Sequence, residues 1–324
     1  MRAIQVEAFG GPEVLLIAEV PDAVAGPGQA VVRPAAVDVI YLDTLLRSGW
    51  GGGYFPIEPP YVPGGGGAGT VTAVGEGVDA GLVGRQVVAR AASGAYAEQF
   101  VAPVDELVEV PDGVSATDAA ALVHDGVTAL SLARTGKIAP GEWVLVAAAA
   151  GGAGSLLVQL ARDAGAHVVA AARGERKLAL ARELGADVVL DYSEPDWQQR
   201  VREATGGAGV DLAFDGAGGA LGRAVFETVA EGGRFLTYGT ADGGLTEIAP
   251  AAAEARGVRV VNTLEAGPHT PAVVRELLGE ALSLTAQGRI RPAIGATYPL
   301  ERAVDAHTSL EGRATVGKSL LTTA

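Results

Sequence analysis

The sequence predicts an α/β chain in which a mostly β part is joined to a doubly wound, parallel-sheet part. Two observations carry this prediction. Between Trp143 and Asn262, short all-apolar strands alternate with helical segments, as in parallel sheets covered on both faces. The residues before Thr117 instead show short Val-, Gly- and Pro-rich strands cut by turns. The length of 324 residues fits about two domains.

The β-rich part opens the chain. VVRPAAVDVI (31–40) and GTVTAVGEGV (69–78) read as strands, and PGQ (27–29) and PGGGG (63–67) as punctuation. GRQVVARAASGAYAEQFVAP (84–103) continues as strand, glycine break, strand. ATDAAALVHDGVTALSLARTG (116–136) is helical in composition and ends before Pro140-Gly141. Then WVLVAA (143–148) is a buried strand and SLLVQLARDAG (155–165) a helix closed by glycine. HVVAAA (167–172), ADVVLDY (186–192), VDLAFD (210–215), RFLTYG (234–239) and VRVVN (258–262) are further strands. Helical ERKLALARELG (175–185) and VFETVAEGG lie between them. PAVVRELLGEALSLTAQG (271–288) is one amphipathic helix.

Composition excludes several classes of function. The net charge of −14 opposes binding to nucleic acid or to anionic membranes. The chain has no cysteine, so disulfides, thiolate zinc sites and a Cys nucleophile are absent. His124, His167, His269 and His307 form no HxxxH or HxH pair, which argues against a histidine metal site. No secretory signal is apparent at the N-terminus, and the lack of disulfides fits a cytoplasmic protein. The uncharged run Trp143–Ala161 has membrane-spanning length, but its central glycines and Gln159 divide it into strand, turn and helix.

AAAAGGAG (147–154) lies between a strand and a helix. Small residues there let a pyrophosphate approach the backbone, and helix-start amides donate to it. Ala150, Gly151, Gly152 and Ala153 are the expected contacts. Ala148 stands at the first glycine of the pattern and is expected to keep a negative φ, making the turn a variant. NAD enzymes place an acid at the tip of the second strand. Here that strand runs into Arg173-Gly174-Glu175-Arg176-Lys177. Arg173 and Lys177 suit a 2′-phosphate and point to NADPH, with Glu175 the one local counter-charge.

With these residues in view, the chain resembles the medium-chain dehydrogenase/reductase superfamily, and within it the zinc-free quinone oxidoreductase branch. MRAIQVEAFGGPEVL (1–15), LDTLLRSG (42–49), AGTVTAVGEGV (68–78), GAYAEQFVAP (94–103), GVTAL (126–130), PGEWVLV (140–146), ELGADVVLDY (183–192) and YPLERAVDAHTSLEGRATVGKSLL (298–321) carry the resemblance. It implies a GroES-like catalytic domain over 1–120 and 264–324, and a Rossmann NADPH-binding domain over 121–263, with the active site in the cleft. It also implies a homodimer, with VRVVN a plausible edge strand. Lys177 and Tyr192 would contact the adenosine phosphate, and Thr128 the nicotinamide. Gly239, Thr240 and Asn262 would flank the cofactor, with Arg313 near it.

The substrate side departs from the family pattern. Ile40 replaces a common Asn, Leu45 a common aromatic, Gly66 a common acid, and His124-Asp125 are not the usual residues before GVTAL. Hydride reduction also needs a proton, for which Tyr41, His124 and Asp125 are the candidates. Trp50 and Tyr54 would wall the pocket. Tyr41 suits packing against substrate more than acid catalysis, Asp125 suits a local cap or pair, and His167 and His307 read as structural. The expected activity is NADPH-dependent reduction of a quinone or an α,β-unsaturated carbonyl. An enoyl reductase of secondary metabolism and a non-catalytic NADPH-binding sensor or structural protein are the alternatives.

Overall fold

Strands that are apolar on both faces pair in parallel, because helices cover both sides of the sheet. Six of them form one sheet in the spatial order Val188–Asp191, His167–Ala172, Trp143–Ala147, Val210–Asp215, Val229–Thr237, Arg259–Asn262. Every neighbouring pair is parallel. The order reverses beside Trp143–Ala147, which is the switch point of a doubly wound sheet. The computed structural model describes residues 1–50, 55–242, 244–263 and 267–323. It divides into one unit of Met1–Val127 with Thr270–Ala324 and a second of Thr128–His269, which holds the parallel sheet.

The parallel sheet is covered by helices that include Gly152–Asp163, Glu175–Glu183 and Gly219–Phe226. Its core packs Leu145, Val169, Leu190, Trp197, Phe226 and Phe235. Each such side chain contributes about 2 kcal/mol of burial. Arg259–Asn262 is an edge strand. VFETVAEGG is not one helix: the helix stops at Phe226, and Val229 opens a strand that pairs with Val210. Strand pairing there overrides helical composition. The uncharged run Trp143–Ala161 is a strand, a turn and a helix. Among the described residues, no helix is long and apolar enough to cross a membrane.

The first unit holds a seven-stranded sheet. Its path runs Ile294–Pro299, Lys318–Thr322, Gln29–Val39, Gly66–Val74, Gln86–Arg90, Leu107–Glu109, and Phe100–Pro103 also pairs with Gln29–Val39. Ile4, Val32, Val37, Val71, Tyr96 and Leu321 are among the residues of its core. The helical stretch 116–136 is broken in two, Ala116–Leu122 and Asp125–Gly136, at Val123 and His124. The first of these helices packs on the strands Gln29–Val39 and Gly66–Val74. That packing carries His124 to the sheet end where Gln29–Val39 finishes.

Candidate functional site

In the second unit, the expected cofactor residues gather at the carboxyl edge of the parallel sheet. The helix Gly152–Asp163 starts there, and no side chain caps its N-cap, Gly151. Its first amides are left for an anion. Ala148 corrects the sequence expectation: its φ is +57°, in the left-handed region. The conformation costs an alanine roughly 1 kcal/mol. It is held by the amide of Gly151 donating to the Ala148 carbonyl (3.0 Å) and that of Ala149 donating to Ala171 (3.1 Å). A side chain at Gly154 would collide with the Ala148 carbonyl. Glycine at 154, not at 148, therefore lets helix and turn close together.

The second strand ends at Ala172, and Arg173 follows it, exposed. Its guanidinium lies 6.0 Å from the centre of the Tyr192 ring. Asp191, which sequence reasoning passed over, holds this corner. Its carboxylate accepts from the amide of Gly174 (2.8 Å) and from the amide (2.9 Å) and hydroxyl (2.5 Å) of Ser193. Burial acts to raise the pKa of Asp191, and these hydrogen bonds and Arg173 outweigh it, leaving the carboxyl below its ordinary range. Gly174 turns with φ +85°, and the helix Glu175–Glu183 then carries Lys177 in its first turn. Glu175 pairs with Arg182 at 2.5 Å.

Further along the same edge, Asp215 ends the fourth strand, fully buried. It accepts from the amides of Ala217 and Gly218 (3.0 Å each) and the hydroxyls of Thr237 (3.0 Å) and Thr246 (2.5 Å). Its backbone carbonyl accepts from the Gly239 amide at 3.2 Å. A side chain at Gly239 would overlap the Gly216 carbonyl. The loop bearing Gly239 and Thr240 is thus laid backbone to backbone on the loop after Asp215. Asn262 ends the sixth strand, opposite Thr237. Thr128 lies one turn into the helix Asp125–Gly136.

In the first unit, a polar cluster forms that the sequence did not announce. Register sets it up: Leu320 pairs with Asp38 across antiparallel strands. Lys318, two residues before Leu320, shares the face of Asp38. Asp38 and Lys318 are 1% and 4% exposed. Lys318 Nζ pairs with Asp38 Oδ1 and, at 2.8 Å, with Asp125 Oδ2. The other oxygen of Asp38 lies 2.7 Å from His124 Nδ1. Burial alone would lower the pKa of Lys318; Asp125 and Asp38 reverse that and raise it. Burial likewise acts to raise Asp38, and the ammonium and the imidazole hold it low. His124 is a partly buried member of this cluster, and Asp125 is paired with Lys318.

Tyr41 opens the helix Tyr41–Arg47, and its carbonyl accepts from the Thr44 hydroxyl at 2.7 Å. Ile40 offers no side-chain cap, so Asp43 reaches back to accept from the Ile40 amide at 3.0 Å. Arg47 is buried and pairs with Glu311. Trp50 is 44% exposed, and Tyr54 lies outside the described residues. Arg313 is in the first unit with φ +55°. The structure therefore brings Ala150 to Ala153, Arg173, Lys177, Tyr192, Gly239, Thr240 and Asn262 to one sheet edge. Among the expected catalytic residues, it brings His124 and Asp125 to one cluster, through Asp38 and Lys318. Asp38 had one signal in the sequence, a lone acid inside the apolar strand AAVDVI. Lys318 had none beyond its place at the start of a strand.

The comparisons agree with this architecture. Residues 26–112 match the alcohol dehydrogenase GroES-like domain family, and residues 152–281 match the zinc-binding dehydrogenase family. The chain is 34% identical to a quinone oxidoreductase of Pseudomonas aeruginosa over 99% of both chains. It is also 34% identical to a 2-haloacrylate reductase of a Burkholderia species, over 99% of this chain and 98% of that one. The structure of Escherichia coli quinone oxidoreductase complexed with NADPH superposes with a TM-score of 0.92 at 32% identity, covering both chains completely. Among the described residues, no cluster of three or more His, Asp or Glu is placed to hold a metal ion. The fold, the end-to-end similarity and the cysteine-free composition together make this chain a member of the medium-chain dehydrogenase/reductase superfamily, in its zinc-independent quinone oxidoreductase branch.

Proposed function

We propose that this chain is an NADPH-dependent reductase that delivers hydride to a quinone or to an α,β-unsaturated carbonyl. One observation carries the reading. At the carboxyl edge of the parallel sheet, an uncapped helix start stands beside Arg173, where an NAD enzyme would present an acid. Relatives named for quinone and 2-haloacrylate reduction, and a neighbour solved with NADPH, support it. NADPH, when bound, supplies the hydride. Ala150, Gly151, Gly152 and Ala153 would hold its pyrophosphate, and Arg173, Lys177 and Tyr192 its adenosine phosphate. Thr128, Gly239, Thr240, Asn262 and Arg313 complete the proposed cofactor contacts. Tyr41, His124 and Asp125 are the candidates for the proton, and Trp50 and Tyr54 for the pocket wall. A homodimer formed through the edge strand Arg259–Asn262 and a cytoplasmic location belong to the same reading.

The test is consumption of NADPH, followed by its absorbance, against one panel of quinones and one of enones. Turnover on either panel is the expected result. Tight NADPH binding with no turnover on both would sink the reading and favour a non-catalytic sensor. Sedimentation at micromolar concentration tests the dimer, and a single monomeric species would refute it.

A further inference from the structure

The polar cluster of the first unit separates the proton candidates. Asp125 is engaged by Lys318 at 2.8 Å. Asp38 is held at both oxygens, one by Lys318 and the other by His124 Nδ1 at 2.7 Å. A carboxylate only accepts, so the Nδ1 that faces it carries a proton. The ring then has one atom left for chemistry, Nε2. Gly65 lies against that end: a Cβ on Gly65 would stand 2.9 Å from Cε1 and 3.0 Å from Nε2 of His124. The ring therefore has a fixed tilt, a carboxylate behind it and bare backbone beside Nε2. Two carboxylates and one ammonium leave the cluster one negative charge, which an imidazolium at His124 neutralises.

We propose that Asp38 is a positioning residue that aims His124 Nε2 as a proton donor to carbon, and that the acceptor is accordingly an α,β-unsaturated carbonyl. This rests on the hydride-transfer reading above. Hydride adds to Cβ, and the electrons of the C=C bond move to give an enolate. The imidazolium of His124 releases its Nε2 proton to Cα, which completes the saturated carbonyl. The ring stays neutral with Nδ1–H on Asp38 and is reprotonated by water on its exposed side. A reduced quinone takes its proton on oxygen, where water serves, so a fixed donor adds little. Protonation at carbon is slow without an acid held in place, and that is what this geometry supplies.

The probe is an enone with a methyl group at Cα, reduced by wild type and by D38N, G65A and H124A. Each variant is expected to lose on the order of 100-fold in kcat, with the KM for NADPH within about twofold. The wild-type product should have one configuration at Cα, and the variants should give both. Reduction of a simple quinone by D38N and G65A should change less than about threefold. Imidazole should restore rate to H124A without restoring configuration. In the protein without NADPH, proton NMR should show a far-downfield His124 Nδ1–H signal that D38N abolishes and G65A shifts. Gly65 has an ordinary backbone conformation, so G65A keeps the test alive if D38N does not fold. Retained rate and configuration in D38N and H124A would overturn the proposal, as would equal losses on quinone and enone. A wild type that reduces quinones but no enone would overturn it and leave the hydride-transfer reading standing. Binding of NADPH with no turnover of either class would remove both.

Discussion

The hydroxyl of Tyr96 has one proton and two buried neighbours. It lies 3.0 Å from Asp43 Oδ2 and 3.1 Å from His307 Nε2. When Asp43 is ionised, Tyr96 donates to it and His307 donates Nε2–H to Tyr96. The unpartnered atom is then His307 Nδ1, as an acceptor, which costs less than a stranded N–H. Burial, with the charge of Arg47, holds His307 down at about 3. Burial, with the charge of Asp38, pushes Asp43 up to about 6 against its hydrogen bonds. The two act on stability with opposite signs. As pH falls below His307's ordinary 6.5, the unfolded chain takes a proton that the folded chain refuses, so stability is lost. As pH falls from about 6 to Asp43's ordinary 3.8, the folded chain takes a proton that the unfolded chain refuses, so stability is gained. In the overlap they cancel. Asp43→Asn removes the gain, so its stability should fall relative to wild type by about 1 kcal/mol per pH unit from pH 6 to pH 4. Urea denaturation at three pH values in that range tests this, and parallel curves for the two proteins would refute it.

At the scale of elements, the turn from Ala148 to Gly151 shows where sequence reading succeeds and stops. Strand HVVAAA and the glycine-closed helices were legible because apolar runs, periodicity and glycine stops are local. The split of 116–136 was not, because nothing local marks Val123-His124 as a break. The strand start at Val229 was hidden because pairing with Val210, a distant residue, decides it. The polar cluster was legible only in part: His124 and Asp125 by their place before GVTAL, Asp38 only as a lone acid in an apolar strand, and its pairing with Lys318 not at all, since only sheet register joins residues 280 apart in sequence. Ala148 was read with the wrong sign of φ because a turn held by Ala171 and Gly154 tolerates strain that an isolated turn avoids. That strain is measurable. Ala148→Gly should raise stability by about 0.5–1 kcal/mol, the relief of the left-handed alanine less the entropy glycine adds to the unfolded chain. A lower denaturation midpoint would show that Ala148 is not strained.

At the scale of the molecule, 24 cationic and 38 acidic side chains give the net charge of −14. Such a field repels both dinucleotides, NADPH with its extra phosphate more than NADH, and over more than about 8 Å it is screened at physiological salt. Discrimination between the two must therefore come from cations within contact distance of the 2′-phosphate. In the proposed site these would be Arg173, which follows the second strand with its guanidinium 6.0 Å from the centre of the Tyr192 ring, and Lys177, in the first turn of the next helix. Of the acids around it, Asp191 accepts from the amides of Gly174 and Ser193, and Glu175 pairs with Arg182. Reversing one local charge should thus act on NADPH far more than on NADH. Lys177→Glu is expected to lower the ratio of NADPH to NADH affinity at least ~10-fold, the worth of one charge-assisted contact. Raising salt from low to physiological levels should lower the wild-type ratio and leave the Lys177→Glu ratio nearly unchanged. Titration calorimetry with each dinucleotide measures both. Equal losses of NADPH and NADH would mean that the 2′-phosphate is held elsewhere, and that the charges after the second strand serve only to keep an acidic protein's surface mixed.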